Sequence, residues 1–297
     1  MPDTDGRTTD AALLRLGPPW LYAVKPALTR ARTAAWHARN AGPRPGLRIL
    51  FYHRVCDDAD VLAVTPRRFA AQMALLRDEG WHVVDVARAA RLLAVGRIPA
   101  RTVALSFDDG YRDIAEHALP VLERHGFRAT VFVVIGALEG RACFSWYAEQ
   151  PPILGWADVR ALDGASAFSF EAHTLGHPNL RALAKPAARR EIAGSKAALE
   201  EGLGRPVRVF CYPAGVFGER ERRMVAAAGF QAATSCEPGA NTPATDPLAL
   251  RRIQIDATDR LADFRAKLEG GHDAPSRLRQ AYRRARYATT PASSSER

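Results

Sequence analysis

The sequence predicts an α/β fold in which seven or eight strand-plus-helix units wrap a parallel sheet into a barrel. Short apolar runs alternate with helix-patterned segments from Leu47 onward. These units follow one another over about 220 residues, with no repeat of 20–50 residues at the sequence level. A chain of 297 residues, 47% hydrophobic and 25% charged, suits one large domain with a substantial core and excludes a disordered, collagen-like or coiled-coil chain.

In chain order, residues 1–17 read as frayed, and Pro19 to Asn40 as one or two basic helices interrupted by Pro26. The Trp20, Leu21, Tyr22 cluster suits packing against the barrel or an anchor at a membrane interface. LRILFYH (47–53) then reads as a strand and PRRFAAQMALLRDEG (66–80) as a helix. TVALSF (102–107) pairs with DIAEHALPVLERHG (113–126), and ATVFVV (129–134) with a helix over Trp156 to Leu162. AFSF (167–170) precedes a long helix over Pro186 to Leu203, and VRVFCY (207–212) a helix over Glu219 to Ala228. QAATS, ALRRIQI and a helix near Leu261 to Leu268 complete the pattern. The expected domains are a basic helical extension over 1–46, the barrel over 47–270, and a basic segment with a disordered end over 271–297.

The formal charge of +10 invites a nucleic-acid reading, but its distribution argues against a basic groove. Eight basic residues and no acid lie between Ala11 and Cys56, and five arginines without an acid between Ala274 and Ser295. Residues 57–273 carry 27 basic and 28 acidic side chains. The excess therefore sits at the two ends, as arginine-rich solvated segments or as a loose contact with an anionic membrane surface. The first ten residues lack the basic-then-apolar pattern of a secretory signal, and no apolar run reaches the roughly 18 residues of a membrane span. The expectation is a cytoplasmic protein, peripheral at the inner membrane face. Cys56, Cys143, Cys211 and Cys236 form no C-x-x-C pair and read as buried free thiols.

Two clusters carry chemistry. Asp108, Asp109 and Gly110 follow a strand-like run; neighbouring strand residues face opposite ways, so the two acids can serve two partners. An Asp-Asp-Gly is equally an ordinary turn. Sixty-four residues on, His173-Thr-Leu-Gly-His177-Pro follows another strand, and histidines at i and i+4 can grip one metal ion. Thr174 stands where a metalloprotease has its glutamate, so a general base must come from elsewhere. His53, the Tyr212-Pro213-Ala214-Gly215 run and Arg252 fall at or near other strand ends, where a parallel barrel gathers its active site. Two histidines and a carboxylate leave positions open on a metal for water and substrate, and the second aspartate can act as base. Amide or ester hydrolysis fits this set, and a non-haem iron oxygenase ranks lower on an α/β scaffold.

From about Ile49 to Leu268 the sequence resembles the polysaccharide deacetylases of the NodB-homology class, carbohydrate esterase family 4. LSFDDGYRD (105–113) resembles the family's T-F-D-D-G signature and HTLGHPNL (173–180) its H-[ST]-x-x-H-P signature. FYHRV, the stretch from Glu191 to Gly215 and LRRI add weaker matches. The resemblance implies a distorted (β/α)7 barrel that removes acetyl groups from N-acetylated sugars with a divalent metal, commonly Zn2+, with Co2+, Mn2+ or Ni2+ as alternatives. By position, Asp109, His173 and His177 would bind the metal and Asp108 would be the base. Thr174 would brace the histidine loop, and the Ala214 backbone N–H, beside Tyr212 and Pro213, would hold the oxyanion.

Two departures stand out. Cys211 replaces the arginine that normally orients the base, with Arg252 as candidate replacement, and the usual L-x-H general acid is missing. His53 resembles the histidine of a subgroup whose N-terminal Y-H motif supplies the acid, as in deacetylases of biofilm poly-N-acetylglucosamine; a core histidine is the other reading, and His272 or water the other source of the proton. The implied partner is an N-acetylated glycan, polymeric or lipid-linked, of exopolysaccharide or envelope type. The competing function is a catalytically silent glycan-binding barrel of the same fold.

Overall fold

The computed structural model describes residues 19–39 and 42–274. The expectations for residues 1–17, for the side chains of Trp20, Leu21 and Tyr22, and for the basic tail after Ala274 lie outside what is described.

Strands β1 (Arg48–Tyr52), β2 (Arg54–Val55), β3 (Ala63–Val64), β4 (His82–Val84), β5 (Thr102–Phe107), β6 (Ala129–Val133), β7 (Phe168–Ala172), β8 (Val209–Cys211), β9 (Ala232–Thr234) and β10 (Ile253–Gln254) alternate with helices. The helices are α1 (Pro19–Ala38), α2 (Pro66–Asp78), α3 (Val86–Ala94), α4 (Leu119–His125), α5 (Ile135–Leu138), α6 (Trp156–Leu162), α7 (Lys185–Leu203), α8 (Glu219–Ala227) and α9 (Leu261–Glu269). The main sheet is parallel, in the order β10-β1-β5-β6-β7-β8-β9, with β4 beside the first half of β5. The two ends of this curl are joined by one segment. Leu250 bridges Thr234 of β9, and three residues later Ile253 and Gln254 pair with β1.

Strand alternation sorts side chains between two cores. Leu50, Tyr52, Leu105, Phe107, Val131, Phe170 and Phe210 face outward into a large apolar cluster shared with α2, α4, α7 and α9. Ile49, Ala104, Phe132, Val209 and Ala232 face inward and meet Val86, Ala89 and Leu93 of α3, which plugs the barrel at one end. The backbone N–H of Val86 donates to Thr130 Oγ1 on β6 at 2.9 Å, fixing the start of that plug.

Sequence reading passes over β4 and α3, because a three-residue strand followed by a nine-residue helix gives neither period enough length to register. ALRRIQI contributes only a two-residue strand, with Leu250 joining a different neighbour. Pro26 does not break the first helix: α1 runs through it, since docking on α9 outweighs one missing hydrogen bond. The 114–118 stretch forms a π turn, in which Leu119 N–H reaches back to Ile114 O, one residue ahead of Pro120, which has no N–H to give. All four cysteines are free, but the expectation of buried thiols holds only for Cys56 and Cys211; Cys236 is half-buried and Cys143 is exposed on the loop between α5 and α6.

Candidate active site

The inward register places four side chains at the mouth of the barrel. Asp108 follows Ala104 and Ser106 on β5, and its backbone N–H extends the ladder to Tyr52 O at 3.0 Å. His53 follows Ile49 and Phe51, His173 follows Ser169 and Glu171, and Cys211 follows Val209. Asp109 leaves the register because it adopts a left-handed φ of 73°, and Gly110 follows at 78°. Glycine suits the second position, where the positive φ is strained for other residues and a Cβ would crowd Val133 Cγ1 at 3.1 Å. The two carboxylates are thus turned to different neighbours.

His173 Nδ1 lies 2.7 Å from Cys211 O, so that nitrogen carries the hydrogen and Nε2 is left with its lone pair. That Nε2 is 3.5 Å from Asp109 Oδ1, and His177 Nε2 is 3.7 Å from the same oxygen. The histidine loop takes its shape from left-handed Thr174 and His177. Thr174 Oγ1 accepts the His177 N–H at 2.9 Å, and Glu191 of α7 accepts those of Leu175 and Gly176, both at 2.9 Å. Glu191 is a residue the sequence reading missed, and its only signal is that it opens the EIAGSK stretch.

These residues fit a divalent cation. Asp109 Oδ1 is buried without a hydrogen-bond partner, and the three donor atoms lie within 4.8 Å of one another. Donors about 2.1 Å from a tetrahedral ion stand about 3.4 Å apart, close to the separations seen here. Burial pushes the Asp109 carboxyl up to about 7 and pushes His177 well below the usual imidazole range. A cation favours the carboxylate and needs the imidazole neutral. Asp108, His173 and Cys211 also cluster within 4.8 Å, but this second set does not suit an ion. Both Asp108 oxygens are already taken by Arg252, and burial pushes the Cys211 thiol far above its ordinary range.

Arg252 is fully buried. Its guanidinium grips Asp108 through Nη1 to Oδ1 at 2.6 Å and Nη2 to Oδ2 at 2.8 Å, while Nε donates to Ser235 O at 2.9 Å. It lies 4.3 Å from the centre of the Phe51 ring and 3.1 Å from Cys211 Sγ. Burial alone would raise the Asp108 carboxyl; the charge and hydrogen bonds of Arg252 outweigh it and hold Asp108 below the usual range. His53 has a buried Nδ1 with no partner. Burial, assisted by Arg252 and His173 and opposed by Asp108, pushes its imidazole down to about 4.

The Pro213–Gly215 turn places Ala214 at a φ of 51° and Gly215 at 62°. A Cβ at Gly215 would fall 2.2 Å from Cys236 N, which explains the glycine. Tyr212 brings only its backbone to this turn: its ring stacks on Phe217 in the outer core and its hydroxyl donates to Leu248 O at 3.1 Å. His272 sits away from the mouth, against Thr33 of α1 at 3.2 Å.

The loop between α5 and α6 supplies a wall that sequence reading did not find. Trp146 and Phe144 stack on each other at 4.8 Å, and both meet the His177 ring in edge-to-face geometry at 5.1 and 5.8 Å. Tyr147 ties this loop to Asp60 through its hydroxyl at 2.5 Å, and Asp60 belongs to the Arg54–Asp58–Asp113 ion cluster. The FSWY run was the available signal, although aromatic residues in a loop are as common in packing as in binding.

Residues 96–233 match the polysaccharide deacetylase family. The chain is 27% identical over 224 residues to the putative polysaccharide deacetylase YxkH of Bacillus subtilis, covering 75% of each chain. It is 22% identical over 219 residues to poly-beta-1,6-N-acetyl-D-glucosamine N-deacetylase of Staphylococcus aureus, covering 71% of this chain and 73% of that one. Among solved structures, the Streptococcus pyogenes deacetylase PplD in complex with acetate superposes with a TM-score of 0.67 at 24% identity, over 76% of this chain and 99% of that one. IcaB from Ammonifex degensii superposes with a TM-score of 0.66 at 24% identity, over 76% and 98%. At these identities the superpositions establish the curled parallel sheet with its surrounding helices, the distorted (β/α) barrel of NodB type. The span matched to the polysaccharide deacetylase family, just under half of the chain, contains Asp108, Asp109, His173 and His177, residues that folding brings from two strand ends to one point.

Proposed function

We propose that the protein is a metal-dependent hydrolase that removes N-acetyl groups from an N-acetylhexosamine-containing glycan or glycan precursor. The observation that carries this reading is the meeting of the Asp109, His173 and His177 donors within 4.8 Å, beside an aspartate that Arg252 keeps ionised. A divalent ion held by those three residues would polarise the acetyl carbonyl and acidify a water molecule; the N, N, O donor set favours zinc, with cobalt, manganese and nickel as alternatives.

The chain's own residues have distinct tasks. Asp108, ionised and lying next to the metal ligands, takes the proton of the attacking water on a carboxylate oxygen. Arg252 is its positioning residue, because a bidentate pair fixes the plane as well as the charge of the carboxylate. Ala214 lies in the turn that follows β8, with a φ of 51°, and its backbone N–H is the group we assign to the negative oxygen that develops on the acetyl carbon. His53 stands at the neighbouring strand end and would deliver a proton to the departing amine nitrogen once protonated, a charged form that its burial opposes and Asp108 favours. Trp146, half-buried and backed by the buried Phe144, walls the His177 side, and an aromatic face there suits the apolar face of a pyranose ring.

The Staphylococcus aureus relatives are named for poly-beta-1,6-N-acetyl-D-glucosamine, which makes oligomers of that sugar the first substrates to test. The experiment is acetate release from such oligomers and from β-1,4-linked N-acetylglucosamine oligomers, alongside metal analysis of the same sample. Metal-dependent acetate release is the expected result. A folded, zinc-loaded protein that binds these glycans but releases no acetate would return the silent glycan-binding barrel as the better reading.

A further inference from the structure

Helix α1 packs on the barrel by one side and leaves an uncharged face on the other. On the inner face Thr33 and Trp36 are buried. Trp36 Nε1 donates to Glu269 of α9 at 2.9 Å, Thr33 meets His272, and Lys25 pairs with Asp256. On the other side, Val24, Ala27, Leu28, Ala31, Ala34, Ala35 and Ala38 are all exposed. At about 100° per residue these seven fall within an arc of about 120°. Val24 is 39% and Leu28 57% exposed, two of the four large apolar side chains most open to solvent among the described residues. The helical wheel puts Arg30 and His37 along one border of the arc and Lys25 and Arg32 along the other. No acidic residue occurs from Ala11 to Cys56.

We propose that this outer face of α1 docks on an anionic phospholipid bilayer, with the Val24–Ala38 arc at the level of the acyl boundary and Arg30 and Arg32 of its borders among the headgroups, Lys25 being held by Asp256. An apolar stripe edged by cations is the pattern of helices that lie in a bilayer interface, and the absence of any acid removes the repulsion that such a surface would otherwise exert. No helix among the described residues is long and apolar enough to cross a membrane, so the contact is a peripheral one. The same geometry orients the enzyme. Lys25 sits at Asp256, just past the catalytic end of β10, whereas Trp36 and Arg44 lie against 269–271 near the opposite end of the barrel, where Arg48 opens β1 and pairs with Asp273. The helix therefore runs from the mouth towards the plugged floor, and its most apolar part, Val24 and Leu28, lies at the level of the mouth. A substrate carried by the same membrane, such as a lipid-linked or membrane-emergent glycan, would meet the active site there.

The test is co-sedimentation of the full chain with vesicles of phosphatidylcholine alone or containing phosphatidylglycerol, at low and high salt, with the double variant V24E/L28E beside it. Both positions are solvent-exposed and outside the site, so the melting temperature and acetate release from soluble oligomers should stay unchanged. The wild type should pellet with phosphatidylglycerol vesicles at low salt and be released by high salt, and the variant's partitioning should fall about tenfold or more. Absence of low-salt binding by the wild type overturns the proposal. So does undiminished binding by V24E/L28E, which would assign any attraction to the chain ends alone. A wild-type dimer that V24E/L28E converts to monomer without any change in vesicle binding would give the face to a second copy of the chain instead.

Discussion

Asp108 and Asp109 are adjacent in sequence and opposite in circumstance. Both are buried, yet Arg252 takes both oxygens of the first, while the second keeps one oxygen without a partner beside two imidazoles. Replacing Asp108 with Asn fills the same space but cannot accept the water's proton. The expected outcome is a fall in kcat of about 10²- to 10⁴-fold with metal content unchanged, read by turnover and by metal analysis of one preparation. A near-normal rate would remove Asp108 from the role of base. Arg252→Lys keeps a positive charge but loses the fork that holds both oxygens. We expect kcat to fall with little change in KM, and stability to drop less than in Arg252→Ala, where an unpaired buried carboxylate should cost about 3–5 kcal/mol in urea denaturation. Equal kcat in wild type and R252K would mean that charge alone suffices and that orientation is irrelevant.

At the scale of elements, α1 and α9 are joined through groups whose charge states differ between folded and unfolded chains. His272 is buried against Thr33; burial, then the nearby Lys267 and Arg32, with Asp263 opposing, push its imidazole down to about 3. In the unfolded chain the ring titrates near 6.5. Between these values the unfolded chain binds a proton that the folded chain does not, so stability is present above about 6.5 and lost as pH falls toward 3. His272→Gln keeps a polar partner for Thr33 without the titration. Its melting temperature should decline less steeply than that of the wild type between pH 7 and pH 4. Parallel declines in the two proteins would show that His272 does not set this sensitivity. The histidine loop shows the same dependence on a distant element, since Glu191 reaches from α7 to hold two of its backbone N–H groups.

For the molecule as a whole, a metal that binds only the folded barrel stabilises it by mass action. At a free concentration 100 times its Kd the gain is about 2.7 kcal/mol. Zinc should therefore raise the melting temperature of the wild type by several degrees, and a chelator should reverse the rise. Asp109→Ala, His173→Ala and His177→Ala should lose most of that response, because each removes one of three donors. A full zinc-dependent shift in all three variants would place the metal elsewhere. This measurement does not depend on knowing the sugar.

The candidate metal ligands and base were legible from local pattern. Asp108-Asp109-Gly110 and His173 to His177 each lie within a few residues, and a strand ahead of each is visible in the apolar runs. Alternation along those strands already implies that one aspartate faces the interior. The parallel order followed from the alternation of strands and helices, because a crossover helix returns each strand in the same direction. Tertiary structure decided what depends on residues far apart in the chain. That Arg252 meets Asp108 across 144 positions depends on where β10 closes against β1, and only two paired residues record that closure. That Tyr212 faces the outer core and not the substrate follows from its register on β8, which a three-residue strand leaves ambiguous in sequence. The plug formed by α3 escaped because its elements are too short for a period to register. The buttress from Glu191 to two backbone N–H groups and the aromatic wall beside His177 are instead contacts between groups unremarkable in their own segments, which acquire meaning only when folding brings the partners together.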